Sequence, residues 1–317
     1  MSYPSDPILL QEVAPRDGLQ IEPVFVPTAD KIALIDRLSM LGFSRIEVTS
    51  FVSPRAVPAL ADAAEVLTRI RRAPGVLYVA LVPNLRGAMD ALRAGADELN
   101  MVMSASDTHN RANMRMTGDQ SFSMFRDIVR EVETNKPSLN GTVATAFGCP
   151  FEGDQSEEKV LDIVRHYLDL GCDGITLADT TGMADPRQVE RLVLKALDLV
   201  GANRLTLHFH NTRGLGLANV LAAYSAGARR FDAALGGLGG CPFAPGASGN
   251  ICTEDTAAMC ERMGIPTGLD LPGLLEVSRT LPALIGHDVP GQTAKAGRVQ
   301  DLHAPPATLQ SASKRKG

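Results

Sequence analysis

His208 and His210 stand two residues apart in Leu205-Thr206-Leu207-His208-Phe209-His210-Asn211, where apolar and polar residues alternate. That alternation is the period of a β-strand, so both imidazoles leave the same face, about 7 Å apart along the backbone. Two neighbouring imidazoles can hold one divalent cation if further ligands arrive from elsewhere in the chain. The competing reading is a half-exposed strand with two solvated histidines. Asp17, in Ala14-Pro15-Arg16-Asp17-Gly18-Leu19-Gln20, is the candidate third ligand. A carboxylate with imidazoles and an amide oxygen suits a hard or borderline divalent ion. Two histidines and one carboxylate equally describe a non-haem iron or a catalytic zinc site, so the ligand types do not choose the metal. Asp17 could instead be a turn aspartate before Gly18.

Arg16 would aim a cation at an oxygen that gains negative charge in a transition state. Its alternative is a weak surface ion pair. Glu47 lies within an apolar strand, where an inward carboxylate is costly unless paired, with Arg16 or with a substrate proton. Cys241 sits in a glycine-rich stretch, Gly239-Gly240-Cys241-Pro242-Phe243, too long for a simple turn. Its thiol could move a proton if its pKa were lowered, or it could be an inert small apolar residue. The string Gly148-Cys149-Pro150-Phe151 repeats the pattern, so neighbours alone assign neither cysteine.

Positioning these groups takes a large fold. The chain has 317 residues and a formal net charge of -5, with acids and bases interspersed. No basic field covers it, which argues against nucleic acid as a partner. No apolar run approaches the roughly 20 residues needed to cross a bilayer, and residues 1–7 do not read as a signal peptide. Five cysteines, none in a C-x-x-C pair, fit a reducing cytoplasm better than a disulfide scaffold.

Eight strand-like runs alternate with helix-like ones. The strands are expected at 8–13, 45–49, 76–81, 98–102, 142–147, 174–178, 205–210 and 230–234. Helices are expected at about 28–41, 57–71, 85–94, 121–134, 156–170, 185–200, 217–226 and 253–263. Residues 104–117 read as a polar loop with one short helix at most. Eight such units imply a closed (β/α)8 barrel, with a doubly wound open sheet as the rival. A helix at 271–285 packs outside the barrel, giving one barrel domain over 1–302 and a loose polar tail over 303–317. Chemistry in such a barrel sits at the C-terminal ends of the strands. That rim collects Arg16, Asp17, Glu47, Asn84, Cys149, Asp179, His208, His210, Cys241 and Asn250.

With these residues in view, the chain resembles the 3-hydroxy-3-methylglutaryl-CoA lyases, metal-dependent barrels related to Claisen synthases. The resemblance runs from the first strand to Arg298. Its most specific part is Gly237-Leu238-Gly239-Gly240-Cys241-Pro242-Phe243, continuing through Gly246-Ala247-Ser248-Gly249-Asn250. Pro15-Arg16-Asp17-Gly18-Leu19-Gln20 and Thr49-Ser50-Phe51-Val52-Ser53-Pro54 are further shared strings. The resemblance implies Mg²⁺ or Mn²⁺ held by Asp17, His208, His210 and Asn250, an acyl-CoA thioester substrate, and a homodimer. It implies retro-Claisen cleavage to acetyl-CoA and acetoacetate, with Arg16 stabilising the thioester oxygen, Cys241 passing a proton and Glu47 supporting the transfers or orienting Arg16. Asn211 and Arg213 depart from the family pattern and could reshape the acyl pocket. A Claisen synthase or aldolase with the same ligands is the first alternative, and a barrel retained only as a scaffold is the second.

Overall fold

The structure, a computed structural model, describes residues 6–240, 249–302 and 304. Eight parallel strands close into a barrel: β1 (Leu9–Glu12), β2 (Arg45–Ser50), β3 (Leu77–Val82), β4 (Glu98–Ser104), β5 (Ser138–Ala144), β6 (Gly174–Asp179), β7 (Leu205–Phe209) and β8 (Arg230–Ala233). The strands run around the barrel in chain order, and β1 closes it by pairing with both β2 and β8. The sequence expectation of a (β/α)8 barrel therefore holds, and the open sheet does not.

The helices α1 (Thr28–Leu38), α2 (Ala63–Arg69), α3 (Leu85–Arg93), α4 (Asp107–Met114), α5 (Gly118–Val132), α6 (Glu157–Asp169), α7 (Pro186–Val200), α8 (Gly216–Ser225) and α9 (Thr253–Met263) surround the strands. Their starts follow ordinary capping chemistry. Thr117 and Gln120 form a capping box on α5, and Asp185 accepts from the amides of Arg187 and Gln188 at the start of α7.

Strand register decides what faces the barrel axis. Thr142 pairs with Thr176, Thr176 with Thr206, and His208 with both Ala178 and Asp232. Paired residues of neighbouring strands share a face. The axis is therefore polar, and Leu205, Leu207 and Phe209, all 0 % exposed, point outward into the helix layer. The alternation around the histidines has the sense opposite to that of a half-exposed strand: its apolar side meets helices, and its polar side meets other strands.

Three expected elements differ, the first being the helix expected from about residue 57, which is a 3-10 turn over Pro58–Leu60 followed by α2 from Ala63. β5 begins at Ser138, four residues before its expected start, and ends at Ala144. Asn140-Gly141 reads locally as a turn, but inside the barrel the Asn140 amide donates to Asn100 Oδ1, Thr142 Oγ1 and Thr176 Oγ1 at 3.0–3.2 Å. Gly141 is needed there because a Cβ would stand 2.4 Å from the buried Tyr167 ring. The helix expected over 271–285 is two, α10 (Leu271–Ser278) and α11 (Leu281–Ile285). Pro282 lacks an amide hydrogen, and its ring would collide with the Ser278 carbonyl in one continuous helix. A last short helix, α12, spans Thr293–Ala296. Leu271, Leu274, Leu281 and Ile285 join the same apolar core as the barrel. Among the described residues no helix is long and apolar enough to cross a membrane.

Candidate active site

The stretch after β1, read from Asp17 and Gly18 as a possible turn, is a turn and is buried. Ala14–Gly18 form one π-helical turn with all five residues buried, held by the Val13 carbonyl, which accepts from the amides of Arg16, Asp17 and Gly18. The turn points Arg16 and Asp17 into the mouth of the barrel. Arg16 Nε donates to Glu47 Oε2 at 2.6 Å, and its Nη1 donates to Asp17 Oδ1. Glu47 Oε1 accepts from Asn100 Nδ2 at 2.9 Å. The surface ion pair considered for Arg16 is thus a buried network. Burial works against the guanidinium charge, but Glu47 and Asp17 overcome it and raise the Arg16 pKa.

Asp17 meets the histidines here. Its Oδ2 lies 3.9 Å from His208 Nε2 and 4.0 Å from His210 Nε2, and those two nitrogens are 3.1 Å apart. Burial alone would raise the Asp17 carboxyl; Arg16 and the two imidazoles bring it down to about 2. Burial, and then His208, lower the His210 imidazole to about 3, leaving it neutral. His208 moves the other way: burial opposes its charge, but Asp232 raises its pKa. Asp232 Oδ2 stands 3.1 Å from His208 Nδ1 and fixes which ring nitrogen faces Asp17.

Asn250 reaches the cluster through a short strand-like segment laid over the rim. Its backbone bridges to His210, and the neighbouring Ile251 amide donates to Phe209 O. Its Nδ2 donates to Asp17 Oδ2 at 2.8 Å and to Leu238 O at 2.9 Å. Its Oδ1 is buried with no hydrogen-bond partner. A buried amide oxygen without a donor is costly. Beside a carboxylate and two imidazole nitrogens, it fits a fourth ligand to a cation. Asp17, His208 and His210 are the set of three metal-ligating side chains that the described residues bring together.

The glycine stretch approaches the same point. Gly239 has φ of 102°, and a Cβ on it would lie 2.5 Å from Asn250 Nδ2 and 3.1 Å from Asp17 O. Gly239→Ala is expected to cut turnover by about 10²-fold through displacement of those two groups. Gly201→Ala is the control, since φ there is 78° with no atom within 4 Å of a Cβ. Equal effects of the two changes on turnover would show that backbone strain, not the contact, matters. Cys241 lies outside the described residues.

Other rim residues serve turns. Asn84 caps α3 by accepting from the Gly87 amide, and Asp179 Oδ1 accepts from the amides of Met183 and Ala184. Cys149 is fully buried and its thiol donates to Ser106 Oγ at 3.0 Å. His109 is buried against Ser104 Oγ, and His166 is exposed against the Phe122 ring. Asn211 Oδ1 accepts from the Gly216 amide at the start of α8. Arg213 donates to the carbonyls of Thr181 and Gly182, tying the rim after β7 to the rim after β6.

Three participants were not singled out from the sequence: Asp232, Asn100 and Gln20, whose Nε2 donates to Asp17 Oδ1 at 2.8 Å. Asp232 carried a readable signal. It lies in Phe231-Asp232-Ala233, an acid flanked by apolar residues, in the same pattern that drew attention to Glu47.

Comparison with known proteins adds a second line of evidence. A family model described as HMGL-like matches residues 8–281. The chain is 42% identical to the hydroxymethylglutaryl-CoA lyase of Bacillus subtilis over 292 residues, 92% of this chain and 97% of that protein. It is 43% identical to the (R)-citramalyl-CoA lyase of Chloroflexus aurantiacus over 302 residues, 92% of this chain and 95% of that protein. It is also similar to the solved structure of an HMG-CoA lyase from Acinetobacter baumannii in complex with coenzyme A and 3-methylmalate. That similarity has a TM-score of 0.93 at 64% identity and covers 96% of this chain and all of that one.

Proposed function

Because the chain belongs to the HMGL-like family, we propose that it cleaves 3-hydroxy-3-methylglutaryl-CoA to acetyl-CoA and acetoacetate in a retro-Claisen reaction. The chain is a carbon–carbon lyase. The observation that carries the reading is the meeting of Asp17, His208 and His210, whose ligand atoms all lie within 4.8 Å of one another, with Arg16 beside them.

Asp17, His208, His210 and Asn250 would hold a divalent ion, Mg²⁺ or Mn²⁺ by the oxygen-rich half of that set. When bound, the ion supplies Lewis acidity that makes the substrate's tertiary hydroxyl easier to deprotonate. Loss of that proton lets the bond between the second and third carbons break. Its electron pair passes to the acetyl-CoA enolate, which takes up a proton to become acetyl-CoA. Arg16 stabilises the negative charge growing on the thioester oxygen. Glu47, itself fixed by Asn100, orients the guanidinium. Cys241 passes the proton from the glycine loop.

The test is a coupled assay for acetoacetate released from the thioester. Its absence with Mg²⁺ and Mn²⁺ present would sink the reading. A second reading rests on the Chloroflexus relative. Citramalyl-CoA is one methylene shorter between the tertiary carbon and the free carboxylate, and its cleavage releases pyruvate. Pyruvate without acetoacetate from the two thioesters would favour it. The protein is taken to work as a cytoplasmic homodimer, which its mass in light scattering checks.

Asp232 acts through His208. Asp232→Asn is expected to weaken Mn²⁺ binding by about 10–100-fold. Unchanged affinity by calorimetry would remove Asp232 from the site.

A further inference from the structure

Glu12 ends β1 just before the Arg16–Asp17 turn, and it is 0 % exposed. Register places it on the strand face opposite the axis. Its neighbour Gln11 pairs with Asp232, which faces His208, while Glu12 pairs with Ala233. It therefore points into the layer between barrel and helices, where apolar side chains normally pack. Burial, with a smaller push from Glu254, raises its carboxyl to about 8 against the opposing pull of its hydrogen bonds. A group so expensive to bury needs complete hydrogen bonding.

Its partners come from three separate segments. Oε1 accepts from the Ala14 amide at 2.8 Å and from the Leu235 amide at 2.9 Å. Oε2 is 2.9 Å from Thr253 Oγ1, which donates to it. Ala14 opens the turn that carries Arg16 and Asp17. Leu235 opens the glycine stretch that leads to Gly239 and Cys241. Thr253 follows Asn250 by three residues and begins α9. Each of these segments supplies part of the site, and Glu12 hydrogen-bonds to all three.

We propose that Glu12 is a positioning residue: one buried carboxyl that holds the Arg16–Asp17 turn, the stem of the glycine loop and the Asn250 segment in a fixed relation at the rear of the site. The role rests on the reading of the site given above. It touches neither substrate nor cation. The stem is pinned at the next residue too, where the Gly236 amide lies 3.0 and 3.1 Å from the Glu254 oxygens. Glu254 bonds the Gly236 amide and Ser278, whereas Glu12 joins the stem to the Arg16–Asp17 turn from behind, as Asn250 Nδ2 joins Leu238 to Asp17 at the mouth.

Two substitutions separate positioning from bulk stability. Glu12→Gln keeps the arm length. Its amide oxygen can accept from both backbone amides, and its NH2 can donate to Thr253 Oγ1. Glu12→Asp removes one methylene, so its carboxyl cannot span from Ala14 to Leu235 and Thr253 together. Three readouts serve: Mn²⁺ affinity by calorimetry, kcat and KM, and hydrogen exchange in peptides covering 12–18 and 233–238. Glu12→Asp is expected to lose about tenfold in Mn²⁺ affinity, as for outer-shell substitutions at metal sites. Its kcat should fall with KM little changed, and exchange should rise together in both peptides. Glu12→Gln is expected to restore all three to within a few-fold of the parent. Glu12→Gln falling as far as Glu12→Asp would overturn the proposal. So would Glu12→Asp with parent Mn²⁺ affinity and unchanged exchange at 233–238. If the parent protein binds Mn²⁺ but cleaves no thioester, the functional reading fails while the affinity and exchange arms still decide the role of Glu12.

Discussion

Replacing Arg16 by Met is expected to lower kcat by about 10²–10³-fold, the scale set by removing one preorganised donor to a developing oxyanion. Arg16 lies where a cation is worth most. It is buried, and its guanidinium is held on one side by Glu47 and on the other by Asp17. Both carboxylates keep other partners when it is removed: Asn100 on Glu47, Gln20 and Asn250 on Asp17. Mn²⁺ affinity should therefore hold to within a few-fold, since no proposed ligand is lost. Stability should fall by about 3–5 kcal/mol, because two buried carboxylates lose their cation. Urea denaturation measures that loss separately from turnover. Arg16→Lys restores a charge but not the planar fork that meets Glu47 through Nε and Asp17 through Nη1, so only partial recovery is expected. A Met variant turning over at the parent rate would remove Arg16 from the chemistry.

His208→Ala is expected to weaken Mn²⁺ binding by more than about 100-fold, beyond the range for outer-shell changes at metal sites. The loss is double. The Nε2 that faces Asp17 and His210 disappears, and Asp232 loses the ring nitrogen beside its Oδ2. The same geometry sets a pH dependence. His210, lowered to about 3, stays neutral across the working range and does not compete with a cation. His208 has a pKa raised by Asp232 against burial, so its protonation competes with the cation as pH falls. Metal binding then releases a proton, and affinity drops toward acid. Asp17, at about 2, contributes no titration in that window. An affinity for Mn²⁺ that is flat from about pH 8 to about pH 6 would contradict His208 as the competing ligand.

Much of this was readable in the sequence. The eight alternating units specified the barrel because each strand carries its own outward apolar row, as in Ile175 and Leu177 or Leu205, Leu207 and Phe209. The rim residues followed from topology, since strand ends in a parallel barrel share one face. What failed to read were features made by contacts between distant segments. Asn140-Gly141 has turn chemistry locally, and only the closed barrel gives Asn140 three inward partners and Gly141 a ring to accommodate. The burial of Arg16 and Asp17 could not be seen in Pro15-Arg16-Asp17-Gly18, whose composition is that of an exposed turn. It arises because the Val13 carbonyl gathers three amides and the glycine stretch closes over Gly18, where a Cβ would stand 2.9 Å from that of Leu238. Asn211 and Arg213 looked like pocket residues by position. At that rim Arg213 donates to the carbonyls of Thr181 and Gly182, and Asn211 accepts from the Gly216 amide.

The most direct measurement is a crystal structure of the protein soaked with Mn²⁺, with anomalous differences collected at the manganese edge. The expected result is one strong peak bounded by Asp17, His208, His210 and the Asn250 side-chain oxygen. A peak elsewhere, or none at saturating Mn²⁺ with the two imidazoles turned from Asp17, would contradict a single cation site at the barrel mouth.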